Sequence, residues 1–387
     1  MTATTTTYTT LLSFSSSTLN FKKHSDIQRV VDTIFKIFSK YGFVPHSSAS
    51  QELSAVSGFL HLYLSPQGSH VLLRGYGNGL ITLDIHEIST STSNDIENSC
   101  GAGRLFTNKE IGDLEVEIKK CLSFLESRSL PAIRRGRSVN PYYPTVDGRL
   151  VELDVREVVY EVKSKYQDIM IVRSESLGNI LILDGDLNMG ESDAIYSHTL
   201  MQKGKTNYQD KSCLVLGGGD GGLLYELLNE GAKKVILVDI DEEVISACQQ
   251  YLRNVCHDVL DSRTGPYHQI IVDDAYKYLK DCLTDGVKFE YVLYDLTAVP
   301  VTTEPKTESL TSGSQKKEWE FLYETIKLSL DVLSHGGKFF CHATALLAKD
   351  SLLQFEGMLS QLNPNIRWMQ HSAFIPSFHE NFLFFFY

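Results

Sequence analysis

From Ser212 to the C-terminus, short apolar runs alternate with segments of helical length. The runs Cys213–Leu216, Val235–Val238 and Tyr291–Tyr294 are the size of buried strands, and amphipathic segments separate them. Strands that alternate with helices predict a mostly parallel sheet with helices on both faces. The predicted fold class is therefore α/β, a doubly wound sheet that ends in a C-terminal hairpin.

Smaller units are predicted upstream of this sheet. Helical stripes and alternating strands indicate an N-terminal α+β unit, whose first helix is predicted to start at a capping box formed by Ser25 and Gln28. Closely spaced β-type runs with no intervening helix then indicate an antiparallel β unit. The predicted boundaries are 1–18 for a disordered tail in which 12 residues are Ser or Thr, 19–126 for the α+β unit, 127–144 for a linker, 145–192 for the β unit and 193–387 for the alternating sheet.

Composition disfavours several classes of function. Lys and Arg total 36 and Asp and Glu total 48, and the formal net charge of −12 disfavours binding to nucleic acid or to an anionic membrane. No apolar run reaches the roughly 18 residues of a membrane span. The 7 cysteines contain no C-x-x-C pair, which favours reduced thiols in the cytoplasm. No Lys or Arg precedes Lys22, so no secretory leader is expected.

Candidate binding residues follow the predicted strands, because open α/β sheets bind ligands at the carboxyl ends of their strands. The first strand leads into the glycine loop Gly217–Gly222, which lacks the G-K-[ST] of a P-loop. Asp239 ends the second strand, 20 residues after Gly219, at the spacing from which an acid binds ribose hydroxyls. A dinucleotide and a nucleoside-bearing sulfonium both fit this pattern.

Two further carboxylates are expected in the same crevice. Asp220 lies inside the glycine loop, and Asp295 ends the fourth strand beside it. Hydride transfer has no need of two extra anions there, whereas binding of a polyvalent cation does. Asp274 ends the third strand, where it can accept a hydrogen bond from an adenine amino group, cap the following helix, or do both.

These segments resemble the aminopropyltransferases. The shared segments are Gly217–Gly222, Val-Asp-Ile-Asp at Val238–Asp241, Asp-Leu-Thr-Ala-Val-Pro at Asp295–Pro300, and Glu191-Ser192-Asp193 with Tyr196. Within the family, Asp295–Pro300 resembles the spermine-forming members, because spermidine-forming members carry a second acid in an Asp-Ser-Ser-Asp-Pro pattern. The resemblance implies a methyltransferase-like (Rossmann-like) sheet. It also implies that the N-terminal unit resembles adenosylmethionine decarboxylase and mediates homodimerisation.

The resemblance also implies a reaction and its residues. An aminopropyl group would pass from decarboxylated S-adenosylmethionine to spermidine, giving spermine and 5′-methylthioadenosine, with no cofactor and no metal. The implied donor-binding residues are Gln167, Gly217, Gly219, Asp239, Asp274 and Ala275. The implied acceptor-binding residues are Tyr196, Asp220 and Glu380. Asp220 and Asp295 would be catalytic, with Asp295 as the general base.

Three features depart from the family pattern. Phe378 stands where a Tyr is usual, Asp239 stands where a Glu is usual, and 303–317 resembles an insertion that is expected to be a mobile polar loop. The alternatives are a spermidine- or thermospermine-forming aminopropyltransferase, an S-adenosylmethionine-dependent methyltransferase, and a nucleoside-binding chain without turnover. Asp220 disfavours the methyltransferase, because it would repel the carboxylate of the donor.

Overall fold

A computed structural model of the chain describes residues 4–46, 51–53, 58–91, 104–136, 139–296, 312–362 and 367–387. The chain divides into two compact units, Met1–Asn140 and Pro141–Tyr387. Within the described ranges, each helix is too short or too polar to cross a membrane.

The first unit is an antiparallel sheet packed against helices. Its strands are β1 (Thr4–Ser15), β2 (Val44–Pro45), β3 (Gln51–Leu53), β4 (Gly58–Leu64), β5 (His70–Gly75), β6 (Leu80–Ser91), β7 (Glu126–Ser129) and β8 (Ile133–Arg135). Its helices are α1 (His24–Phe38) and α2 (Asn108–Leu122), with a 3-10 turn at Ser39–Tyr41. The strand order is β2-β4-β5-β6-β1-β7, with β3 paired to β4 and β8 paired to β1. Apolar stripes such as Val30 and Ile34 of α1 share one core with Leu73 and Leu83 of the sheet.

Residues Thr4–Ser15 form an interior strand, so the prediction of a disordered tail is wrong for these residues. β1 pairs with β6 along its whole length, from Thr4 to Ser15. Alternate side chains of β1 are buried, namely Thr6, Tyr8, Thr10, Leu12 and Phe14. Threonine is β-branched and packs well on a pleated surface, so a Thr-rich segment forms a half-buried strand despite its polarity. The predicted linker at 127–144 is also wrong where β7 and β8 pair with β1.

The second unit contains two sheets and a separate strand pair. The pair is β9 (Tyr142–Pro144) with β10 (Leu150–Glu152), and the smaller sheet is β11 (Val155–Lys163), β12 (Asp168–Ser174), β13 (Gly178–Leu183) and β14 (Asp186–Gly190). The larger sheet is β15 (Ser212–Gly217), β16 (Lys234–Asp239), β17 (His268–Val272), β18 (Phe289–Asp295), β19 (Leu333–Ala345), β20 (Met369–Ile375) and β21 (Glu380–Phe386). The helices are α3 (Ala194–Leu200), α4 (Gly222–Asn229), α5 (Glu242–Tyr251), α6 (Arg253–Cys256), α7 (Ala275–Thr284), α8 (Ser312–Asp331) and α9 (Lys349–Leu362).

The larger sheet confirms the predicted doubly wound α/β fold. Its order is β17-β16-β15-β18-β19-β21-β20, with parallel pairing from β17 to β19 and an antiparallel hairpin at the edge. Along β15, Cys213 and Val215 join one core, and Leu214 and Leu216 join the other. Both faces of the sheet are therefore buried, as a continuous apolar run predicts. The strand order reverses between β15 and β18, which places a ligand-binding crevice there.

The predicted insertion at 303–317 is only partly visible. Residues 303–311 lie outside the described residues, as do Thr297–Pro300 of the Asp-Leu-Thr-Ala-Val-Pro segment. Residues 312–317 form the first turns of α8, so this part is helical and not a loop.

Candidate active site

A cavity of about 550 Å³ lies at the switch point between β15 and β18. Six of its lining residues are aspartates: Asp184, Asp186, Asp220, Asp239, Asp274 and Asp295. Neither lysine nor arginine lines the cavity among the described residues. The wall is therefore strongly anionic and attracts cations.

The register of the sheet brings the two predicted catalytic acids together. β15 and β18 are parallel, with Gly217 opposite Asp295, and Asp220 follows in the loop after β15. Gly217 has a φ of +78°, and a Cβ atom there would lie 2.1 Å from the backbone oxygen of Asp295. Only glycine allows the loop to pass this close to the end of β18.

Asp295 is enclosed, with its side chain 9% exposed. Its Oδ1 accepts a hydrogen bond of 2.6 Å from the hydroxyl of Tyr196. Burial raises the pKa of Asp295 above that of an ordinary carboxylate, and the Tyr196 hydrogen bond opposes this shift because it favours the charged form. A carboxylate whose pKa is raised towards neutrality is suited to accept a proton.

Asp220 is also buried, at 6% exposure. Its Oδ1 accepts a hydrogen bond of 2.8 Å from the backbone N–H of Gly222. Burial raises the pKa of Asp220, and the negative charge of Asp295 raises it further. Two carboxylates that oppose each other's ionisation favour binding of a cation, because an ammonium group between them stabilises both charges.

Asp239 is held against the glycine loop at the end of β16. Its Oδ2 accepts a hydrogen bond of 2.9 Å from the backbone N–H of Gly219, and its Oδ1 accepts one of 2.9 Å from that of Asp241. A Cβ atom on Gly219 would lie 2.7 Å from Oδ2 of Asp239, so a larger residue would displace this carboxylate from its present position. An acid in this position binds ribose hydroxyls in sheets of this type.

The remaining predicted donor residues reach the same cavity. Asp274 is exposed and caps α7, with its Oδ1 accepting a hydrogen bond of 2.8 Å from the backbone N–H of Tyr276. Its capping role is therefore confirmed, and it also lines the cavity beside Ala275. Gln167 also lines the cavity, and its Nε2 donates a hydrogen bond of 3.0 Å to Oδ2 of Asp241. All six predicted donor residues thus lie on one cavity.

The predicted acceptor residues are only partly brought together. Tyr196 and Asp220 line the cavity, whereas Glu380 is not among its lining residues. Oε1 of Glu380 accepts a hydrogen bond of 3.3 Å from the backbone N–H of Val146. Its role as an acceptor-binding residue stays a prediction. Phe378 does line the cavity, with its ring centroid 6.5 Å from that of Tyr196.

Sequence reasoning missed several lining residues. Asp184 and Asp186 flank a glycine between β13 and β14, where the Asp-Gly pair indicates a turn but not a binding site. Burial raises the pKa of Asp186, and the charge of Asp184 raises it further. His342, on β19, also lines the cavity and has no sequence motif to mark it. Over the described part of the chain, no cluster of three or more His, Cys, Asp or Glu residues is arranged to hold a metal ion.

Comparison with known sequences supports a common family. Residues 193–387 match the spermine/spermidine synthase domain, and residues 141–191 match the spermidine synthase tetramerisation domain. A spermidine synthase from Schizosaccharomyces pombe is 35% identical over 162 residues, covering 41% of this chain and 52% of the relative. A polyamine aminopropyltransferase from Pyrobaculum neutrophilum is 31% identical over 224 residues, covering 57% of this chain and 72% of the relative.

The chain spans about half the length of the first curated relatives that it matches. A crystal structure of a spermidine synthase in complex with the transition-state analogue AdoDATO has a TM-score of 0.51 at 20% identity, covering 64% of this chain and 78% of that one. This structural likeness concerns the fold alone. With the synthase domain matched over 193–387, half of the 387 residues, the chain belongs to the spermine/spermidine synthase family.

Proposed function

We propose that the chain transfers an aminopropyl group from decarboxylated S-adenosylmethionine to an amine of a polyamine. The observation that carries this proposal is the buried pair Asp220 and Asp295 in a cavity lined by six aspartates, with Tyr196 bonded to Asp295. A polycationic acceptor and a cationic sulfonium donor repel each other in water. Aspartates on several walls offset this repulsion and stabilise the positive charge that develops on the attacking nitrogen.

The proposed reaction is a direct displacement. The amine lone pair forms a bond to the aminopropyl carbon next to sulfur, and the carbon–sulfur bond breaks with its electron pair moving to sulfur. Methylthioadenosine leaves as a neutral thioether and needs no general acid. A free alkylamine has a pKa near the roughly 10.4 of lysine, so at neutral pH nearly all of it carries a proton that blocks attack. Asp295 accepts that proton, and Asp220 holds the amine.

Two acceptors are candidates, and different observations favour them. The matched proteins are named spermidine synthase or polyamine aminopropyltransferase, which favours putrescine as acceptor and spermidine as product. The segment Asp295–Pro300 lacks the second acid of the spermidine-forming pattern, which favours spermidine as acceptor and spermine as product. Asp184 and Asp186 add carboxylates to the cavity, which suits a longer triamine.

One incubation tests the reaction and its acceptor. The protein is supplied with decarboxylated S-adenosylmethionine and either putrescine or spermidine, and both methylthioadenosine and the polyamine product are measured. Chromatography separates spermine from the isomeric thermospermine. If neither putrescine nor spermidine gives a polyamine product, the proposal is overturned. Methyl transfer in a parallel incubation with S-adenosylmethionine would favour the methyltransferase alternative.

We also infer self-association. Residues 141–191 match a tetramerisation domain, and one face of the sheet in the first unit carries half-buried leucines, Leu60, Leu62 and Leu72. A sheet face of this kind suits a homodimer through the N-terminal unit. Light scattering of the chain and of a Leu62→Lys variant tests this, and a monomeric parent chain would contradict it. The free thiols among the described residues are typical of a cytoplasmic protein.

A further inference from the structure

His342 emerges beside Asp295 at the carboxyl edge of the larger sheet. β18 and β19 are parallel, with Tyr294 opposite Cys341, so Asp295 and His342 are the next residues of the two strands. His342 is 7% exposed and lines the same cavity as Asp295 and Tyr196. Its Nε2 lies 3.9 Å from Oδ1 of Asp295, and its ring centroid lies 5.8 Å from that of Tyr196.

A backbone carbonyl fixes the tautomer of His342. Nε2 lies 2.8 Å from the oxygen of Leu296, and because a carbonyl only accepts hydrogen bonds, Nε2 carries the hydrogen. Burial lowers the pKa of His342, which favours the neutral ring. Nδ1 of the neutral ring is then a bare acceptor. It is buried and has no hydrogen-bond partner within the described part of the chain.

A buried acceptor without a partner is unfavourable, and it is satisfied when a ligand brings a donor. The proposed reaction brings such a donor. Once Asp295 has accepted a proton from the ammonium group, the neutral primary amine keeps two N–H groups, and positive charge develops on its nitrogen as the lone pair attacks the donor carbon. The hydroxyl hydrogen of Tyr196 is already donated to Asp295. A neutral acceptor for one of these N–H groups adds no further negative charge to the aspartate-lined cavity.

We propose that His342 binds the reacting amine of the polyamine through Nδ1, while its Nε2–H holds the backbone after Asp295. This role rests on the aminopropyl transfer proposed above. It makes His342 a residue that orients the nitrogen lone pair towards the donor carbon. It also gives a reason for the imidazole that stands beside the aspartates among the described lining residues.

Two substitutions separate the roles of the two ring nitrogens. In His342→Asn, the side-chain amide places a polar atom on Cγ, where Nδ1 is attached, but it is too short to reach the carbonyl of Leu296. In His342→Gln, the amide nitrogen reaches the position of Nε2 and keeps the bond to Leu296, while Cγ carries no polar atom. His371→Gln, on an exposed residue of β20, is the control and should match the parent chain.

The readouts are kcat/KM for the polyamine, the affinity for methylthioadenosine and the thermal unfolding midpoint. We expect His342→Gln to lose about 10- to 100-fold in kcat/KM, the range for a hydrogen bond to a charged group, with methylthioadenosine affinity kept. His342→Asn should retain most of the activity that His342→Gln loses. Three results would overturn the proposal. They are a larger loss of kcat/KM in His342→Asn than in His342→Gln, equal losses in both variants, and values for both variants within twofold of the parent chain.

The parent chain is assayed first, so that a failure of the underlying reaction is seen separately. If the parent forms no polyamine product, aminopropyl transfer itself is refuted. Calorimetric binding of spermidine to the parent and both variants then tests His342 alone. Weaker binding by His342→Gln than by His342→Asn would support the amine contact, and equal binding by the three proteins would refute it.

Discussion

The hydroxyl of Tyr196 donates a hydrogen bond of 2.6 Å to Oδ1 of Asp295. The bond joins α3 to the end of β18, and both side chains are buried. A hydrogen bond to the charged form of an acid lowers its pKa, whereas burial raises it. Tyr196 therefore limits how far burial raises the pKa of Asp295, and so helps set the pH range in which this carboxylate accepts a proton.

Replacing Tyr196 with Phe should shift the pH profile of the proposed aminopropyl transfer upward. The aromatic packing stays, but the charged form of Asp295 loses a hydrogen bond, so its pKa rises. Since the base must be ionised, the acid limb of kcat/KM should move to higher pH by about 1 to 2 units. The control is Tyr208→Phe, which removes a buried hydrogen bond to Met201 away from the cavity. An acid limb at the same pH in Tyr196→Phe and parent would show that Asp295 does not control it.

Replacing Asp295 with Asn should remove the proposed proton acceptor and keep the shape of the site. We expect kcat to fall roughly 10²- to 10⁴-fold, the range for loss of a general base, with methylthioadenosine affinity unchanged. Asp281→Asn on the exposed side of α7 is the matched control and should keep its turnover. Turnover of Asp295→Asn near that of the control would exclude Asp295 as the base.

The same substitution should stabilise the fold at neutral pH. The raised pKa of Asp295 means that the folded chain holds a proton that the unfolded chain has already lost. Stability attributable to this group therefore falls as pH rises from about 3.9, the value in an unfolded chain, through the raised pKa. Above that range, Asp295→Asn should unfold at a higher temperature than the parent, and at pH 4 the difference should vanish. Scanning calorimetry at both pH values measures this, and equal midpoints at pH 8 would contradict it.

Replacing Gly219 with Ala should weaken nucleoside binding. The added Cβ would lie 2.7 Å from Oδ2 of Asp239, so the carboxylate must leave the glycine loop. We expect methylthioadenosine to bind at least tenfold more weakly, in line with the loss of a charged hydrogen bond. Gly357→Ala is the matched control: it lies inside α9 with open space around it. It should keep ligand affinity and gain roughly 0.5–1 kcal/mol of stability. Equal affinities in both variants would refute the role of Gly219.

The acids of the candidate site could be placed from the sequence because they depend on short-range order. Asp239 and Asp295 each end an apolar run, and parallel strands that are neighbours in a doubly wound sheet present their carboxyl ends at one edge. Asp220 lies in the glycine loop that follows β15, so it is expected at that edge too. The pattern of strands in the sequence is therefore enough to predict that these three carboxylates share one crevice.

Residues whose role depends on tertiary contact could not be placed. His342 matters because β19 lies beside β18, and Asp184 and Asp186 matter because a hairpin turn reaches the cavity.

The predicted capping box at Ser25 is wrong, since α1 begins at His24 after an N-cap at Lys23 without a side-chain bond. The observed capping box joins Thr107 and Glu110 at the start of α2.

The polarity of the N-terminal residues also led to the wrong prediction of a disordered tail. Tyr8, Leu12 and Phe14 alternate along β1, but the threonines between and before them hide that period when they are counted only as polar residues. Thr6 and Thr10 are buried as fully as the aromatic residues, which their β-branched shape allows. A pattern scored by shape as well as polarity would have predicted this strand.

Asp193 is a structural residue near the site whose replacement should be costly. It is fully buried, and it accepts hydrogen bonds from the backbone N–H groups of Gly190 at 2.7 Å and of Ser377 at 3.0 Å, and from the Ser377 hydroxyl. These bonds tie the start of α3 to the turn between β20 and β21, which carries Phe378 into the cavity wall.

Asp193→Ala should therefore destabilise the chain by about 3 kcal/mol or more, because it leaves buried donors without acceptors. Ser377→Ala removes the hydroxyl bond but keeps the backbone bond, so it should cost only about 1 kcal/mol. Urea unfolding of both variants measures the difference. Equal losses would show that the backbone bonds to Asp193 contribute little. A loss below about 0.5 kcal/mol in Asp193→Ala, the usual range for surface substitutions, would show that the turn is held by other contacts.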